Sequence, residues 1–147
     1  MIYVDSSAIV KRYYDEPGSE HLRARWSTAE RVFTSRVAYA EVHAALARKR
    51  RDGELSPKAF TTATRAFEAE WPAYDQVLVD ETTLGPVRRL VRRYPLRGFD
   101  AIHLGAALWL RKQIATPIEF WVSDERLESA ARRERLTVVN PERVGAR

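Results

Sequence analysis

Five short apolar runs punctuate this chain: IYV at 2–4, VFT at 32–34, QVLV at 76–79, FWV at 120–122 and LTVV at 136–139. Between them lie longer stretches with helical spacing. Continuous apolar strands separated by helices constrain the fold strongly, because such strands must be covered on both faces. The order strand, helices, strand, helices predicts a mostly parallel sheet in an α/β protein. In such a sheet the functional site lies outside the carboxyl ends of the strands.

The helical stretches carry their own punctuation. SSAIVKRYYDEPGS reads as a helix capped by Ser6 or Ser7 and stopped by Pro17-Gly18. Ser19 can cap a second helix, running to about Ala29. Ser35 precedes RVAYAEVHAALARKRRDG, whose basic end complements the helix dipole and whose Gly53 offers a C-cap. Ser56-Pro57 opens a fourth helix that runs to about Tyr74, with Trp71-Pro72 as a kink or early stop. QVLVD is read as a strand, and Thr82 or Thr83 then opens LGPVRRLVRRY as one helical stretch. RGFDAIHLGAALWLRKQ is the most apolar helix. ERLESAARRE follows the fourth strand.

Size and composition narrow the function. The chain has 147 residues, enough for one domain with one core, and is 45% hydrophobic and 31% charged. It has no Cys, which removes disulfides and thiolate zinc sites. No signal-peptide pattern follows Met1, and the longest apolar stretch, Ala106 to Leu110, is far too short to span a bilayer. The expected location is the cytoplasm, with no membrane contact. Net charge is +5, from 25 Lys plus Arg against 20 Asp plus Glu, and nearly all the basic residues are Arg. Guanidinium forks suit phosphate, and they suit acidic protein surfaces as well. Glycine-rich nucleotide loops and a nucleophile elbow are both absent.

Four acids stand in unusual settings. Asp5 ends the first strand. Glu41 sits about two turns into the third helix, with Ala38 and Ala45 on its own side. Asp100 lies at the start of the most apolar helix, and Asp124 follows FWVS. Buried carboxylates need hydrogen bonds, a base or a cation. Each also has an ordinary reading: a helix cap for Asp5 and Asp100, a turn or cap for Asp124, an ion pair with Arg48 or another base for Glu41. Oxygen-only ligands favour Mg²⁺ or Mn²⁺ over zinc. His103 shares a helix face with Asp100 and reads as a structural histidine, while His43 points away from Glu41. The arginine runs KRRD, VRRLVRR and ARRER read either as solvated helix faces or as phosphate contacts.

Four stretches, YVDSSAIVKRYYDEPGS, TSRVAYAEVHAALAR, LRGFDAIHLGAAL and WVSDERL, carry a resemblance that spans essentially the whole chain in order. The sequence resembles the PIN-domain family, and more narrowly its VapC-type toxins of toxin–antitoxin modules. The resemblance implies a three-layer α/β/α sandwich around a mostly parallel sheet, with 1–147 as a single PIN-like domain. It implies a metal-dependent endoribonuclease that cuts structured RNA, commonly tRNA or rRNA, leaving 5′-phosphate and 3′-hydroxyl ends. Matched residue by residue, Asp5, Glu41, Asp100 and Asp124 take the positions of the family's four acids. Asp5 and Asp100 are expected as the principal Mg²⁺ ligands, with Mn²⁺ able to substitute. Glu41 is expected to bind directly or through water, and Asp124 to orient water or complete the shell. Ser6 takes the polar position after the first acid, and Ser123 the small hydroxyl position before the last. The implied partners are a cognate antitoxin, the RNA substrate and a second copy in a homodimer. A non-catalytic or RNA-processing relative that binds RNA without cutting it is the alternative. A receiver-like phosphoacceptor domain is disfavoured, because no late strand presents a lysine.

Overall fold

The computed structural model describes residues 1–144. Five parallel strands form one sheet in the order β3-β2-β1-β4-β5: β1 Ile2–Val4, β2 Val32–Ser35, β3 Asp75–Val77, β4 Glu119–Trp121 and β5 Thr137–Val139. The chain therefore builds outward from β1 to β3, then returns to the other side of β1 for β4 and β5. The strand order reverses between β1 and β4, and a crevice opens at the carboxyl ends of strands at such a point.

Alternation along the strands divides the core in two. Ile2 and Val4 face one layer, together with Trp121. That layer holds α1 Ser6–Tyr13, α2 Ser19–Ser27, α3 Ala38–Arg51 and α4 Pro57–Glu70. Tyr3, Phe33, Phe120 and Val138 face the other. There lie α5 Glu81–Leu84, α6 Val87–Arg93, α7 Gly98–Gln113 and α8 Glu125–Arg133. This is the three-layer α/β/α sandwich. Each strand is only three or four residues long; β1, β2 and β4 are buried almost throughout, whereas the edge strands β3 and β5 are only partly buried.

Several local boundaries differ from the sequence expectations, each for a physical reason. Asp5, not Ser6 or Ser7, caps α1: its Oδ1 accepts from the Ala8 amide at 3.0 Å. Gly18 precedes α2 in the left-handed conformation (φ 88°), freeing the Ser19 hydroxyl to donate to the Tyr14 carbonyl at 3.1 Å. The α4 helix tightens into a 3-10 turn at Trp71–Ala73, where Pro72 removes a donor. The third strand pairs over Asp75–Val77, and Asp80 beyond it caps α5, so QVLVD is half strand and half helix entry. LGPVRRLVRRY is two helices rather than one, broken at Gly85-Pro86. The break lets α5 press its Thr83 carbonyl against α7 at Gly105, where a Cβ would stand 2.7 Å from that oxygen.

Among the described residues, no helix is long and apolar enough to cross a membrane.

Candidate active site

The first and fourth strands deliver Asp5 and Asp124 to the same end of the sheet. They are in register, Val4 with Trp121, and the Asp5 amide donates to the Trp121 carbonyl at 3.2 Å. One hydroxyl ties the two exits together. Ser7 Oγ donates to Asp5, 2.7 Å from Oδ1 and 2.9 Å from Oδ2, and accepts from the Ser123 amide at 3.0 Å. The sequence reading gave the polar position to Ser6. The first turn of α1 instead aims Ser7 at the carboxylate.

Asp5 is 2% exposed. Burial raises its carboxyl from 3.8 to about 6, and the negative charge of Glu41 adds to the rise. His103, the Ser7 hydroxyl and the Ala8 amide oppose it without cancelling it. Asp5 is thus both a helix cap and a buried acid whose charge is incompletely compensated.

Glu41 lies in the first turn of α3, where the helix dipole favours an anion. Its Oε1 is 2.7 Å from His103 Nε2. His103, 1% exposed, bonds through Nδ1 to the Tyr3 hydroxyl at 3.0 Å. A chain of contacts therefore runs from the central strand through α7 to α3. Burial, and after it the charge of Asp5, holds the Tyr3 phenol far above its ordinary pKa. One ring nitrogen of His103 thus faces the Tyr3 hydroxyl and the other the Glu41 carboxylate, which fixes the orientation of the ring. His103 is the satisfied histidine that the sequence suggested. Its partner, 62 residues away, could not be read from the sequence, where only Arg48 and His43 lay near Glu41. His43 bonds Glu68 instead, at 2.7 Å.

Asp100 is half-buried in the first turn of α7, where Oδ2 accepts from the Arg97 amide at 3.2 Å. Burial raises its pKa, and the charges of Asp124 and Glu41 raise it further, against the Arg97 amide and His103. Asp124 caps α8 through the Leu127 amide at 2.9 Å, with its side chain exposed to solvent. The four acids thus come from four elements and act electrostatically on one another at one end of the sheet. Nearby, Ser35 Oγ at the end of β2 and Ser123 Oγ just past β4 are buried without a hydrogen-bond partner. Unpaired buried hydroxyls are rare, and these two lie at the ends of the strands on either side of β1, whose end carries Asp5.

Among the described residues, no three of His, Cys, Asp and Glu are gathered closely enough to form a ready metal-ligand set. The chemistry of the donors nevertheless fits Mg²⁺ or Mn²⁺. All are hard oxygens, one carboxylate is buried with surplus charge, and Mg²⁺ is commonly held by one or two carboxylates with waters completing its shell.

The PIN-domain profile matches residues 2–133. The chain belongs to the PIN-domain family. This PIN domain is 38% identical to ribonuclease VapC45 of Mycobacterium tuberculosis over 108 residues, covering 74% of this chain and 75% of that protein. Ribonuclease VapC46 of the same organism is 34% identical over 140 residues, 95% of this chain and 97% of that protein. VapC-type toxins are thus homologues of this PIN domain. The same fold occurs in FitAcB from Neisseria gonorrhoeae, with a TM-score of 0.70 at 19% identity, covering 96% of this chain and 98% of that one. A toxin–antitoxin complex from Klebsiella pneumoniae gives 0.66 at 15% identity, covering the same 96% and 98%.

Proposed function

We propose that this chain, as one PIN-like domain over residues 1–147, is a metal-dependent endoribonuclease and the toxin of a toxin–antitoxin pair. What supports the reading is that Asp5 and Asp100 are both raised by burial, with Glu41 and Asp124 among the charges that act on them, in a chain whose relatives are named ribonucleases. Asp5 and Asp100 would hold Mg²⁺ or Mn²⁺, with Asp124 completing the shell or orienting water. The ion supplies neutralising charge at the phosphate and a lowered pKa for the attacking water.

The chain's own groups supply position. Ser7 fixes both Asp5 oxygens, so the carboxylate is aimed before any cation arrives. His103, anchored on Tyr3, holds Glu41 in one orientation, from which its second oxygen is free to orient a water or take its proton. A rigid acidic crevice also suits an antitoxin that blocks it with a cationic side chain. A homodimer in the cytoplasm, cutting tRNA or rRNA, completes the proposal.

One observation favours a rival. Glu41 is already bonded to His103 and, among the described residues, no three ligands are gathered, which suits a PIN domain that binds RNA without cutting it. An end-labelled structured RNA separates the two. The nuclease cuts it in Mg²⁺, leaves 5′-phosphates, stops in EDTA, and is inactive as Asp5→Asn. Binding that persists while no cutting occurs in Mg²⁺ or Mn²⁺ favours the rival.

A further inference from the structure

The α6 and α8 helices lie side by side on the face of the sheet that carries α7. Arg89 near the start of α6 is paired with Glu134 just beyond the end of α8, at 2.8 and 2.9 Å. Arg93 and the Tyr94 hydroxyl also reach Glu134, and Tyr94 and Pro95 border a groove with Glu125, Arg126 and Arg133 of α8. The Glu125 end of that groove is next in the chain to Asp124, and Pro95 shortly precedes Asp100.

That groove has a volume of about 290 Å³ and is lined by Arg93, Arg126 and Arg133. Arg93 also borders a second depression, of about 470 Å³, along the outer face of α6 with Arg88, Arg89 and Arg92. The two share this residue. Two glutamates lie in the path, and both are already engaged. Glu134 accepts from Arg89 and Tyr94, and the Arg89 guanidinium foremost holds its carboxyl down to about 2. Glu125 is 2.6 Å from Arg143. Arg88, Arg92, Arg126 and Arg133 are exposed and, among the described residues, have neither an ion-pair nor a hydrogen-bond partner.

Four unpaired guanidinium groups bordering two depressions that share Arg93 are not explained by stability, since exposed arginines without partners contribute little to it. Arg88 and Arg92 stand one helical turn apart, about 6 Å along the axis. Cations spread along a groove fit a repeating anion better than a single one, and planar forks suit phosphate.

We infer that the α6–α8 groove together with the depression on the outer face of α6 is a track for the sugar–phosphate backbone of an RNA strand, along which Arg88, Arg92, Arg126 and Arg133 lead toward the acidic end of the sheet. The inference rests on the nuclease reading for its substrate class. It adds that affinity comes from the face carrying α6 and α8, not from net charge as a whole. Phosphate contacts of this kind give salt-dependent, sequence-independent affinity, so the track would position the strand while leaving base choice to other surfaces.

The test uses the full chain as Asp5→Asn in EDTA, which uncouples binding from cutting, with a short fluorescent single-stranded RNA. The track variant adds Arg88→Gln, Arg92→Gln, Arg126→Gln and Arg133→Gln. A control removes the same charge from the other helical layer, with Arg48→Gln, Arg50→Gln, Arg51→Gln and Arg65→Gln. The track variant should bind roughly tenfold more weakly or worse, and the slope of log affinity against log salt should fall by about 2 to 3 units. The control should stay within about twofold. Equal loss in both variants, or loss in neither, overturns the track. So does retained RNA affinity with lost affinity for a polyglutamate peptide, which would assign the groove to an acidic protein segment. A wild-type chain that binds RNA through these arginines but cuts nothing in Mg²⁺ would sink the nuclease reading and leave the track standing.

Discussion

Replacing Asp5 by Asn should make the metal-free protein more stable at neutral and alkaline pH while removing its activity. The carboxyl is 2% exposed, and burial above all lifts its pKa from 3.8 to about 6. Because the folded-state pKa lies above that of the open chain, the fold binds this proton more tightly than the unfolded state does. The resulting stabilisation is complete below pH 3.8 and is lost as pH rises through about 6. A rise of about two units corresponds to about 3 kcal/mol. Asparagine keeps an oxygen for the Ala8 amide and the Ser7 hydroxyl, so the cap survives, and it carries no charge to bury. The stability difference between Asp5→Asn and wild type should therefore increase by about 3 kcal/mol between pH 4 and pH 7 and level off above. In a chain of this size that is a relative gain of about 6 to 12 °C in melting temperature. Paired thermal or urea melts in EDTA across that range measure it, and subtraction removes the titration that both proteins share. Adding Mg²⁺ at pH 8 should stabilise wild type and not the variant. A difference that does not change with pH, or an Asn variant that loses stability relative to wild type as pH rises, would refute the reasoning that Asp5 is a buried acid with incompletely compensated charge.

Three further outcomes follow from particular contacts. His103→Ala leaves the buried Tyr3 hydroxyl and Glu41 without their shared partner, and should cost about 2 to 4 kcal/mol in urea unfolding. Gly105→Ala drives a Cβ to 2.7 Å from the Thr83 carbonyl and should cost about 1 to 3 kcal/mol, whereas Gly98→Ala meets nothing within 4 Å and should change stability by less than about 1 kcal/mol. Lys11, with only 3% of its side chain exposed, bridges Glu16 at 3.0 Å and Glu142 at 2.7 Å; because Lys49 still holds Glu16 and Glu142 reaches solvent, Lys11→Met should lower the urea midpoint by an amount worth about 1 kcal/mol. Equal effects of the two glycine substitutions, or a neutral Lys11→Met, would contradict these contacts.

The fold was largely readable because its strands are short, apolar and separated by capped helices. Parallel pairing follows from that alternation, and with it the placement of Asp5 and Asp124 at strand exits. Less legible were features set by long-range packing. The spacing rules that related Glu41 to His43 and Arg48 apply within one helix, so they are silent about His103 on α7. Ser6 and Ser7 are equivalent as letters, and only the direction of the first turn of α1 chooses Ser7. Gly85-Pro86 was passed over as a break because VRRLVRR on its far side keeps a helical pattern of its own. Glu128 shows no sequence signal at all, yet it is buried between Arg132 and Asn140, at 3.0 and 2.8 Å, where it anchors α8 to the residue after β5.

Divalent-cation binding tests the central claim most directly. Titrating Mn²⁺ into the full chain, followed by the ion's own spin-resonance signal or by heat, should show a site that Asp5→Asn and Asp100→Asn each abolish or weaken at least tenfold, while Gly98→Ala binds like wild type. Unchanged Mn²⁺ affinity in both acid variants would contradict the account, because the acids at this end of the sheet would then not hold a cation together.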